Sequence, residues 1–356
     1  MLYELQTTIL NYITFNPNKK KGLAPAKTLT LSILKMLLSV VAIIALLCVF
    51  FCSSKEKVLA SVPKQHDLSP AEKMQQTIIG ISAYAKSSNP DFIIVPQNGA
   101  KLAFEKGSPK LPTHTPYMAA IDAIGIEELF YNSVFEPDTA RINFLRKIKD
   151  KKILVSEYIG SDKYVQDAVK RNKQEGYITF LRTKKNYNYE YIPKTVRNEN
   201  RDDVTDMSKV QNYLYLINPE QYDTKEHFLN TLAKTNHDLL IIDLFFKNKK
   251  AFTEAEISRL KKKANGGKRL VICYMNIGSA EKWRYYWGKD WKLRSPSFLD
   301  RKYEGYSNEY WVKYWEPEWQ QIIYGNDNSY TKKILDAGFD GAYLDNVEAY
   351  LLFPKF

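Results

Sequence analysis

The chain has 356 residues, enough for one large domain or two small ones, and 44% of them are hydrophobic. Its formal charge is +12, with 52 Lys and Arg against 40 Asp and Glu. The basic residues are dispersed, without an arginine-rich stripe or a nucleic-acid-binding motif, so we predict a globular protein with no nucleic-acid partner. Two of the three cysteines lie in an apolar N-terminal segment, and the remaining Cys273 alone excludes a disulfide framework and a cysteine-based zinc site. The four histidines lack metal-ligand spacing, so no metal or cofactor is predicted.

An apolar segment near the N-terminus predicts export. Residues 36–52 carry no charge, and lysines precede them within residues 1–35, which is typical of a secretory or anchoring segment. Cys52 at its end suggests a lipoprotein, although the two phenylalanines before it lack the small side chains that such sites favour. An uncleaved membrane anchor is the main alternative. With residues 53–68 as a polar linker, we predict a folded domain outside the cytoplasm, at the cell surface or in the periplasm.

Apolar segments of strand length then alternate with amphipathic segments of helix length. Helix signals include Pro70 at a first helical position, the capping box that opens at Thr253, and Gly338 after a last helical turn. Eight segments are apolar on both faces, as buried parallel strands are, and begin near residues 91, 123, 152, 177, 213, 238, 269 and 339. They predict an α/β fold, a (β/α)8 TIM-type barrel over residues 69–356, in which the polar residues 183–210 link two halves.

Polar side chains lie at or near the ends of these predicted strands. In a barrel the carboxyl ends of the strands share one mouth, where the catalytic groups collect. The candidates are Gln97, Asn98, Glu127, Glu157, Asn218, Asp243, Tyr274, Asn276 and Asp345. Each carboxylate has a structural alternative, for example that Asp345 caps the helix after it. In the absence of a Ser/His/Asp set, a Cys/His pair or a glycine-rich phosphate loop, several carboxylates at one mouth favour glycoside hydrolysis by a carboxylate pair.

A loop from residue 283 to residue 319 is rich in aromatic side chains. Flat aromatic faces with a polar edge stack on sugar rings and suit a carbohydrate-binding cleft. Half of these side chains should pack beneath the loop instead. Stacking on nucleic acid is the competing use, but no basic stripe lies among the aromatic residues. The loop therefore supports a polysaccharide ligand, with Trp315 as a candidate contact.

Several blocks of the sequence resemble the endo-α-1,4-polygalactosaminidase family, glycoside hydrolase family 114. In the second half these are residues 238–243, 273–281, 311–319 and 338–345. Residues 89–99 and 124–131 resemble later strands of the same family. The family usually has the block that ends at Asp345 before the Pro-Gln-Asn-Gly block, whereas here it comes last. The resemblance therefore implies a circularly permuted barrel, and a truncated tandem duplication would give the same order.

The resemblance also implies roles for individual residues. Asp345 corresponds to the family's proposed nucleophile and Glu127 to its proposed acid/base. The positions that line the mouth correspond to Asp243, Tyr274, Asn276, Gln97, Asn98 and Glu157. We expect Asp345 to be ionised and Glu127 to be protonated at working pH, because an acid must carry the proton that it donates.

The predicted protein is thus an exported hydrolase of α-1,4-linked galactosamine or N-acetylgalactosamine polysaccharide, attached to the membrane through its N-terminal segment. Its predicted mechanism uses two carboxylates. A non-catalytic carbohydrate-binding barrel that kept its cleft is the alternative. The separation of the carboxyl groups of Asp345 and Glu127 distinguishes the two, since a gap much wider than about 9.5 Å would favour binding alone.

Overall fold

The computed structural model describes residues 68–353. The predictions for residues 1–35, for the apolar segment 36–52 and for residues 53–67 of the linker lie outside the described residues. Within residues 68–353, no helix combines the length and the apolar character needed to cross a membrane.

Three helices begin or end at the signals read from the sequence. Ser69 caps the first helix in a capping box, in which the Ser69 N–H donates to Glu72 Oε2 at 2.9 Å and the Glu72 N–H donates to Ser69 Oγ at 3.3 Å. Gly338, with φ +76°, follows the end of the last helix as a C-terminal glycine. The helices are α1 (Pro70–Ser88), α2 (Thr115–Ala120), α3 (Thr139–Leu145), α4 (Val165–Gln174), α5 (Lys225–Ala233), α6 (Glu254–Leu260), α7 (Pro317–Ile323) and α8 (Tyr330–Asp336).

Each of the eight predicted strand segments contains a strand, and short strands occur between them. The strands are β1 (Ile93–Pro96), β2 (Ala123–Phe135), β3 (Lys152–Ile159), β4 (Ile178–Thr183), β5 (Tyr213–Tyr215), β6 (Leu239–Asp243), β7 (Phe245–Phe246), β8 (Lys250–Ala251), β9 (Leu270–Asn276), β10 (Ser279–Glu281), β11 (Leu299–Lys302), β12 (Glu309–Val312) and β13 (Gly341–Asp345).

The predicted strands pair in parallel. One sheet has the order β1–β13–β9–β6–β5, and a second has the order β2–β3–β4. Ile93 of β1 lies opposite Gly341 of β13, so the first strand pairs with the last. A parallel bridge between Gln97 and Gly125 links the two sheets on one side, and β4 lies beside β5 on the other. The described residues therefore form an α/β fold with parallel sheets.

Tyrosine rings pack between strands of the two sheets. The ring of Tyr343 on β13 lies 5.1 Å from the ring of Tyr215 on β5, measured between centroids. The same tyrosine reaches β2, where a Cβ atom added to Gly125 would lie 2.1 Å from the Tyr343 hydroxyl oxygen. Glycine is needed at this position because any side chain would occupy the place of the hydroxyl. The rings of Tyr215 and Tyr343 and the backbone of Gly125 thus meet just below the end of β13.

Strands β11 and β12 of the aromatic loop form an antiparallel sheet with β10, which precedes the loop, and the sequence analysis did not predict this sheet. Part of the aromatic surface packs inward: Trp319 is fully buried, and its Nε1–H donates to the Ile277 carbonyl at 2.9 Å. Trp283 and Tyr306 remain 37% and 54% exposed. The loop is therefore a packed layer that leaves a few aromatic faces free to meet a ligand.

The segment 183–210, predicted as a polar linker, connects β4 to β5 and contains two short 3₁₀ turns, Lys184–Asn186 and Met207–Lys209. The Asn186 side chain shapes its first part, because Asn186 Oδ1 accepts the N–H groups of Glu190 and Tyr191, each at 2.7 Å. This turn carries Tyr189 into the interior, where it is 6% exposed. The connection is thus one wall of the interior as well as a link.

Candidate active site

A cavity of about 1040 Å³ opens at the carboxyl ends of the parallel strands. Side chains from most of these strands meet in it, including Asn98, Glu127, Arg182, Tyr215, Asp243, Tyr274 and Asp345. Of the described residues that line it, eleven carry a carboxylate and three are arginines. In a chain whose formal charge is +12, this concentration of negative charge at one place favours a cationic or hydroxyl-rich ligand.

Asp345 is the last residue of β13, and both of its carboxylate oxygens are anchored. Oδ2 accepts the hydroxyl of Tyr274 at 2.6 Å, and Oδ1 accepts the backbone N–H of Asn346 at 2.7 Å. Burial, followed by the negative charge of Glu127, raises the pKa of Asp345 to about 6. Asp345 is therefore an oriented carboxylate that is ionised at neutral pH and takes up a proton near pH 6.

Glu127, in β2, accepts hydrogen bonds at both oxygens. The Tyr189 hydroxyl donates to Oε1, and Arg182 Nη2 lies 3.6 Å from the same oxygen. Gln97 Nε2 and Asn98 Nδ2 donate to Oε2, the latter at 3.3 Å. In these contacts Glu127 acts as an acceptor, and they fix the orientation of its carboxyl group. That Glu127 carries the acid's proton stays a prediction.

Two strained turns hold Glu127 in place. Asn98 and Glu128 have φ values of 60° and 52°, in the left-handed region that residues other than glycine rarely adopt. Asn98 Oδ1 accepts the N–H of Glu127 at 2.9 Å, and the Glu128 carboxylate pairs with Arg182 at 2.6 Å. Strain of this kind costs about 1–3 kcal/mol per residue and tends to collect at functional sites. The two turns aim the Glu127 carboxylate into the cavity.

A second group of carboxylates lies on the opposite wall. Arg284 binds both oxygens of Asp243, at 2.9 and 2.8 Å, and its Nε donates to Glu281 at 2.6 Å. Glu309 of β12 is 8% exposed and accepts the Ser279 hydroxyl at 2.9 Å. Burial, followed by the charge of Glu281, raises the pKa of Glu309 to about 7. Arg284 thus compensates two of these carboxylates, whereas the charge of Glu309 depends on the ligand and the pH.

Most of the predicted site residues line this cavity: Gln97, Asn98, Glu127, Asn218, Asp243, Tyr274 and Asp345. Asn276 lies directly behind the wall, where it is buried and its Nδ2 donates to Ser279 Oγ at 2.7 Å. Because Ser279 in turn donates to Glu309, Asn276 orients a cavity carboxylate and has no contact with the open space itself. Gln97 is oriented in a similar way by the Tyr215 hydroxyl, which donates to its Oε1 at 3.0 Å.

Two predicted contacts lie elsewhere. Glu157 is fully buried and accepts the Tyr131 N–H at 3.0 Å and the Asn172 side chain at 2.8 Å. Since neighbouring residues of a strand face opposite sides, Ser156 faces the interior and Glu157 faces α4. Trp315 packs edge-on against Phe353, with ring centroids 4.6 Å apart, and is not among the residues that line the cavity. Their predicted contact with a sugar is not supported by these positions.

The sequence analysis missed Tyr189 and Glu309. Tyr189 lies within a polar stretch that shows no strand or helix period, so nothing in its local sequence predicted burial. Glu309 precedes Tyr310, Trp311 and Val312, and this short run of aromatic and β-branched side chains was the available signal for strand β12.

A cavity with carboxylates at the ends of parallel strands is an arrangement that glycoside hydrolases with two carboxyl groups use. Residues 206–355 match the model of the glycoside-hydrolase family GH114, so this part of the chain is similar to that family. This match includes Asp345, Tyr274 and Asp243. Glu127 and Tyr189 lie before it in the chain.

Three curated proteins are similar to parts of the chain, and all three are described as uncharacterized. A protein of Methanocaldococcus jannaschii is 34% identical over 154 residues, 42% of this chain and 41% of its own length. A protein of Thermotoga maritima is 36% identical over 81 residues, 23% of this chain and 24% of its own length. One of Deinococcus radiodurans is 30% identical over 122 residues, 34% and 37% of the two chains. The chain therefore spans about two fifths or less of each relative.

Proposed function

We propose that the protein is a glycoside hydrolase that cleaves α-1,4-linked galactosamine or N-acetylgalactosamine polysaccharide, with Asp345 and Glu127 as its catalytic pair. The observation that carries the proposal is the position of these two carboxylates. They end or interrupt strands β13 and β2, face one cavity, and lie near enough for the charge of Glu127 to raise the pKa of Asp345. A single carboxylate in a cavity would not support this chemistry.

The surroundings of each carboxylate support its role. Asp345 is anchored at both oxygens and is ionised at neutral pH, so it presents negative charge to the anomeric carbon as positive charge develops there. Glu127 gives a proton to the glycosidic oxygen, which keeps the electron pair of the broken C–O bond. For this step Gln97 or Asn98 must release Oε2, and their amide groups are then free to donate to sugar hydroxyls.

The charge of the cavity supports an amino sugar as the substrate unit. Asp243, which we expected to attract a cation, is compensated by Arg284. Glu309 is nearly buried beside the charge of Asp345, and an ammonium group would remove the cost of ionising it. This favours the deacetylated units of the polysaccharide, which carry a positive charge.

The architecture is proposed together with the function. We propose that the eight long strands close into one (β/α)8 barrel, supported by the pairing of β1 with β13, the bridge between β1 and β2, and the contact of Tyr343 with both β2 and β5. We also propose the circular permutation. It is supported by the position of the family match at residues 206–355 and by the neighbouring positions of β4 and β5.

The proposed location is outside the cytoplasm, with residues 36–52 as membrane anchor or as the segment before a lipidated Cys52. This part of the proposal rests on the sequence alone. Metabolic labelling with a fatty acid tests it. Label that is lost in Cys52→Ser supports a lipoprotein, whereas unlabelled protein in the membrane fraction supports an uncleaved anchor.

The activity is tested by incubating the full chain with partially deacetylated α-1,4-galactosaminoglycan and analysing the products by mass spectrometry. Shorter oligosaccharides are expected from the wild type and not from Asp345→Asn, with both proteins folded by circular dichroism. Binding of the polymer without cleavage by the wild type would favour the non-catalytic carbohydrate-binding barrel. Cleavage by Asp345→Asn at the wild-type rate would contradict the assignment of the pair.

A further inference from the structure

Tyr189 is held in an unfavourable backbone conformation by contacts on every side. Its φ is 57°, which is rare for a bulky residue. Its N–H donates to the Asn186 carbonyl at 3.2 Å, and its own carbonyl accepts the N–H groups of Ile217 and Asn218 at 3.1 and 3.2 Å. These bonds tie the turn after β4 to the end of β5. A bulky residue kept in this conformation by so many contacts indicates a function beyond connecting two strands.

The ring of Tyr189 is equally constrained. It stacks on Tyr215 with centroids 3.9 Å apart and on Phe180 at 6.2 Å, and the Arg182 guanidinium lies 4.8 Å above it. Only the hydroxyl end reaches a carboxylate. It donates to Glu127 Oε1 and lies 3.0 Å from Ser156 Oγ, whose side chain is fully buried. Because the Tyr189 hydroxyl donates its hydrogen bond to Glu127, its oxygen is free to accept a hydrogen bond from the Ser156 hydroxyl. Accepting this bond makes Tyr189 a stronger hydrogen-bond donor.

The hydroxyl keeps this role at any working pH. Burial, and then the negative charge of Glu127, hold the pKa of Tyr189 well above its ordinary value. The Tyr189 hydroxyl therefore stays protonated, and it donates its proton to Glu127 in a hydrogen bond.

We propose that Tyr189 is a positioning residue of the hydrolase, which fixes the Glu127 carboxylate and, by donating to it, keeps Glu127 a strong enough acid to protonate the leaving oxygen. The inference rests on the proposed function of Glu127. When the Glu127 proton moves to the glycosidic oxygen, the carboxylate that forms is already bonded to the Tyr189 hydroxyl. Charge developing on Glu127 is thus stabilised without movement of the protein.

Other groups also act on Glu127 and must stay constant in a test. The charged ones are Arg182 from β4, Glu128 from β2 itself, Asp345 from β13 and Glu348 from the turn after it. The tyrosines are Tyr213, Tyr215, Tyr303, Tyr306 and Tyr343. Tyr189→Phe changes none of these side chains and retains the stacked ring, so it isolates the hydroxyl.

The experiment compares the full chain with Tyr189→Phe and with Tyr191→Phe, the same change at a neighbouring tyrosine that is 44% exposed. Because a hydrogen bond to a charged group is lost, the pKa of the Glu127 carboxyl, read by ¹³C NMR, should rise by about one pH unit or more in Tyr189→Phe. The alkaline limb of the pH profile should move upward with it, and kcat should fall about tenfold while KM stays within about twofold. Tyr191→Phe should match the wild type.

An unchanged Glu127 pKa in a folded Tyr189→Phe would overturn the proposal and leave Tyr189 a packing residue. A fall in kcat without movement of the alkaline limb would do the same. If Tyr189→Phe does not fold, Ser156→Ala decides, since it weakens the same hydroxyl and should shift Glu127 in the same direction by less. A wild type that cleaves no polysaccharide would refute the proposed function. The NMR measurement needs no turnover, so it would still show whether Tyr189 affects the pKa of Glu127.

Discussion

The two carboxylates of the cavity are held in contrasting ways. Asp345 ends a regular strand and is fixed by one hydroxyl, from Tyr274 on the adjacent strand, and by the next backbone N–H. Glu127 lies where the register between β2 and β3 shifts, next to strained turns, and several side chains from different parts of the chain converge on it. Regular strand pairing is enough to position Asp345, whereas Glu127 needs side chains from several parts of the chain to hold it.

The contrast follows the chain. Asp345 and Tyr274 belong to residues 206–355, which match the GH114 family. Glu127 and its donors Gln97, Asn98 and Tyr189 all precede that range. A family match confined to the second part of this chain therefore covers one carboxylate and its partner, whereas the proposed reaction needs both.

The largest expected effect separates the two carboxylates by their chemistry. Glu127→Gln should lower kcat by about 10²–10⁴-fold on the polysaccharide, because general acid catalysis is lost. On a nitrophenyl glycoside, whose leaving group needs no proton, the first step of Glu127→Gln should be nearly normal, whereas Asp345→Asn should stay inactive. Rapid-mixing measurement of nitrophenol release checks this. Equal loss in both variants on the nitrophenyl substrate would contradict the division of roles.

A smaller effect on activity is expected from Tyr274, the tyrosine that donates to Asp345. Asp345, with a pKa of about 6, must be ionised to act, so activity should fall as the pH drops below about 6. The Tyr274 hydroxyl lowers this pKa by donating to the carboxylate, so Tyr274→Phe should move the acidic limb to higher pH and lower kcat about tenfold at pH 6. Tyr189→Phe serves as the comparison, because it should move the opposite limb. If Tyr274→Phe and Tyr189→Phe moved the same limb of the pH profile, the assignment of the two tyrosines to different carboxylates would be wrong.

Glu309 should affect stability more than rate. Its pKa is raised from 4.5 to about 7, so the folded protein holds this proton more tightly than the unfolded chain does. The resulting stabilisation is present below about pH 4.5 and is lost as the pH rises through 7. Glu309→Gln should therefore increase the free energy of unfolding by about 1–3 kcal/mol at pH 8 and change it little at pH 4.5, as urea denaturation would measure. Equal effects at both pH values would exclude the titration as the cause.

The smallest effects should come from the aromatic loop. Trp283, at the cavity wall, is expected to stack on a sugar ring, so Trp283→Leu should raise KM several-fold. Trp315 packs against Phe353, and Trp315→Leu should leave KM within about twofold while lowering stability by about 1–2 kcal/mol. Steady-state kinetics and thermal unfolding on both variants check this. A raised KM in Trp315→Leu would restore its predicted contact with the substrate.

The sequence predicted the strands well because buried parallel strands are apolar on both faces, and each of the eight expected segments contains one. It also identified Asp345, Glu127 and Tyr274 as cavity residues, because each is a polar residue at or near the carboxyl end of an apolar strand segment. It did not resolve side-chain direction at the end of β3, where Ser156 rather than Glu157 faces the interior. That direction depends on the pairing register, which two adjacent polar residues leave undecided.

Tyr189 could not have been found in the same way. Its burial depends on the Asn186 turn, on stacking with Tyr215 and on bonds to the end of β5, all of which require the strands to be assembled first. Local composition in that stretch is polar and predicts only a connection. Contacts of this tertiary kind carry no periodic signal.

The pairing of β1 with β13 also constrains how the protein folds. Ile93 and Gly341 are partners although they are 248 positions apart, so this seam closes only after a long loop has been brought together. The seam runs into the cavity, where the Gln97 N–H donates to the Leu344 carbonyl at 2.8 Å, one residue before Asp345. Each half of the fold can therefore acquire its own strands while the cavity is still open. During refolding from urea, we expect circular dichroism to recover before enzymatic activity does.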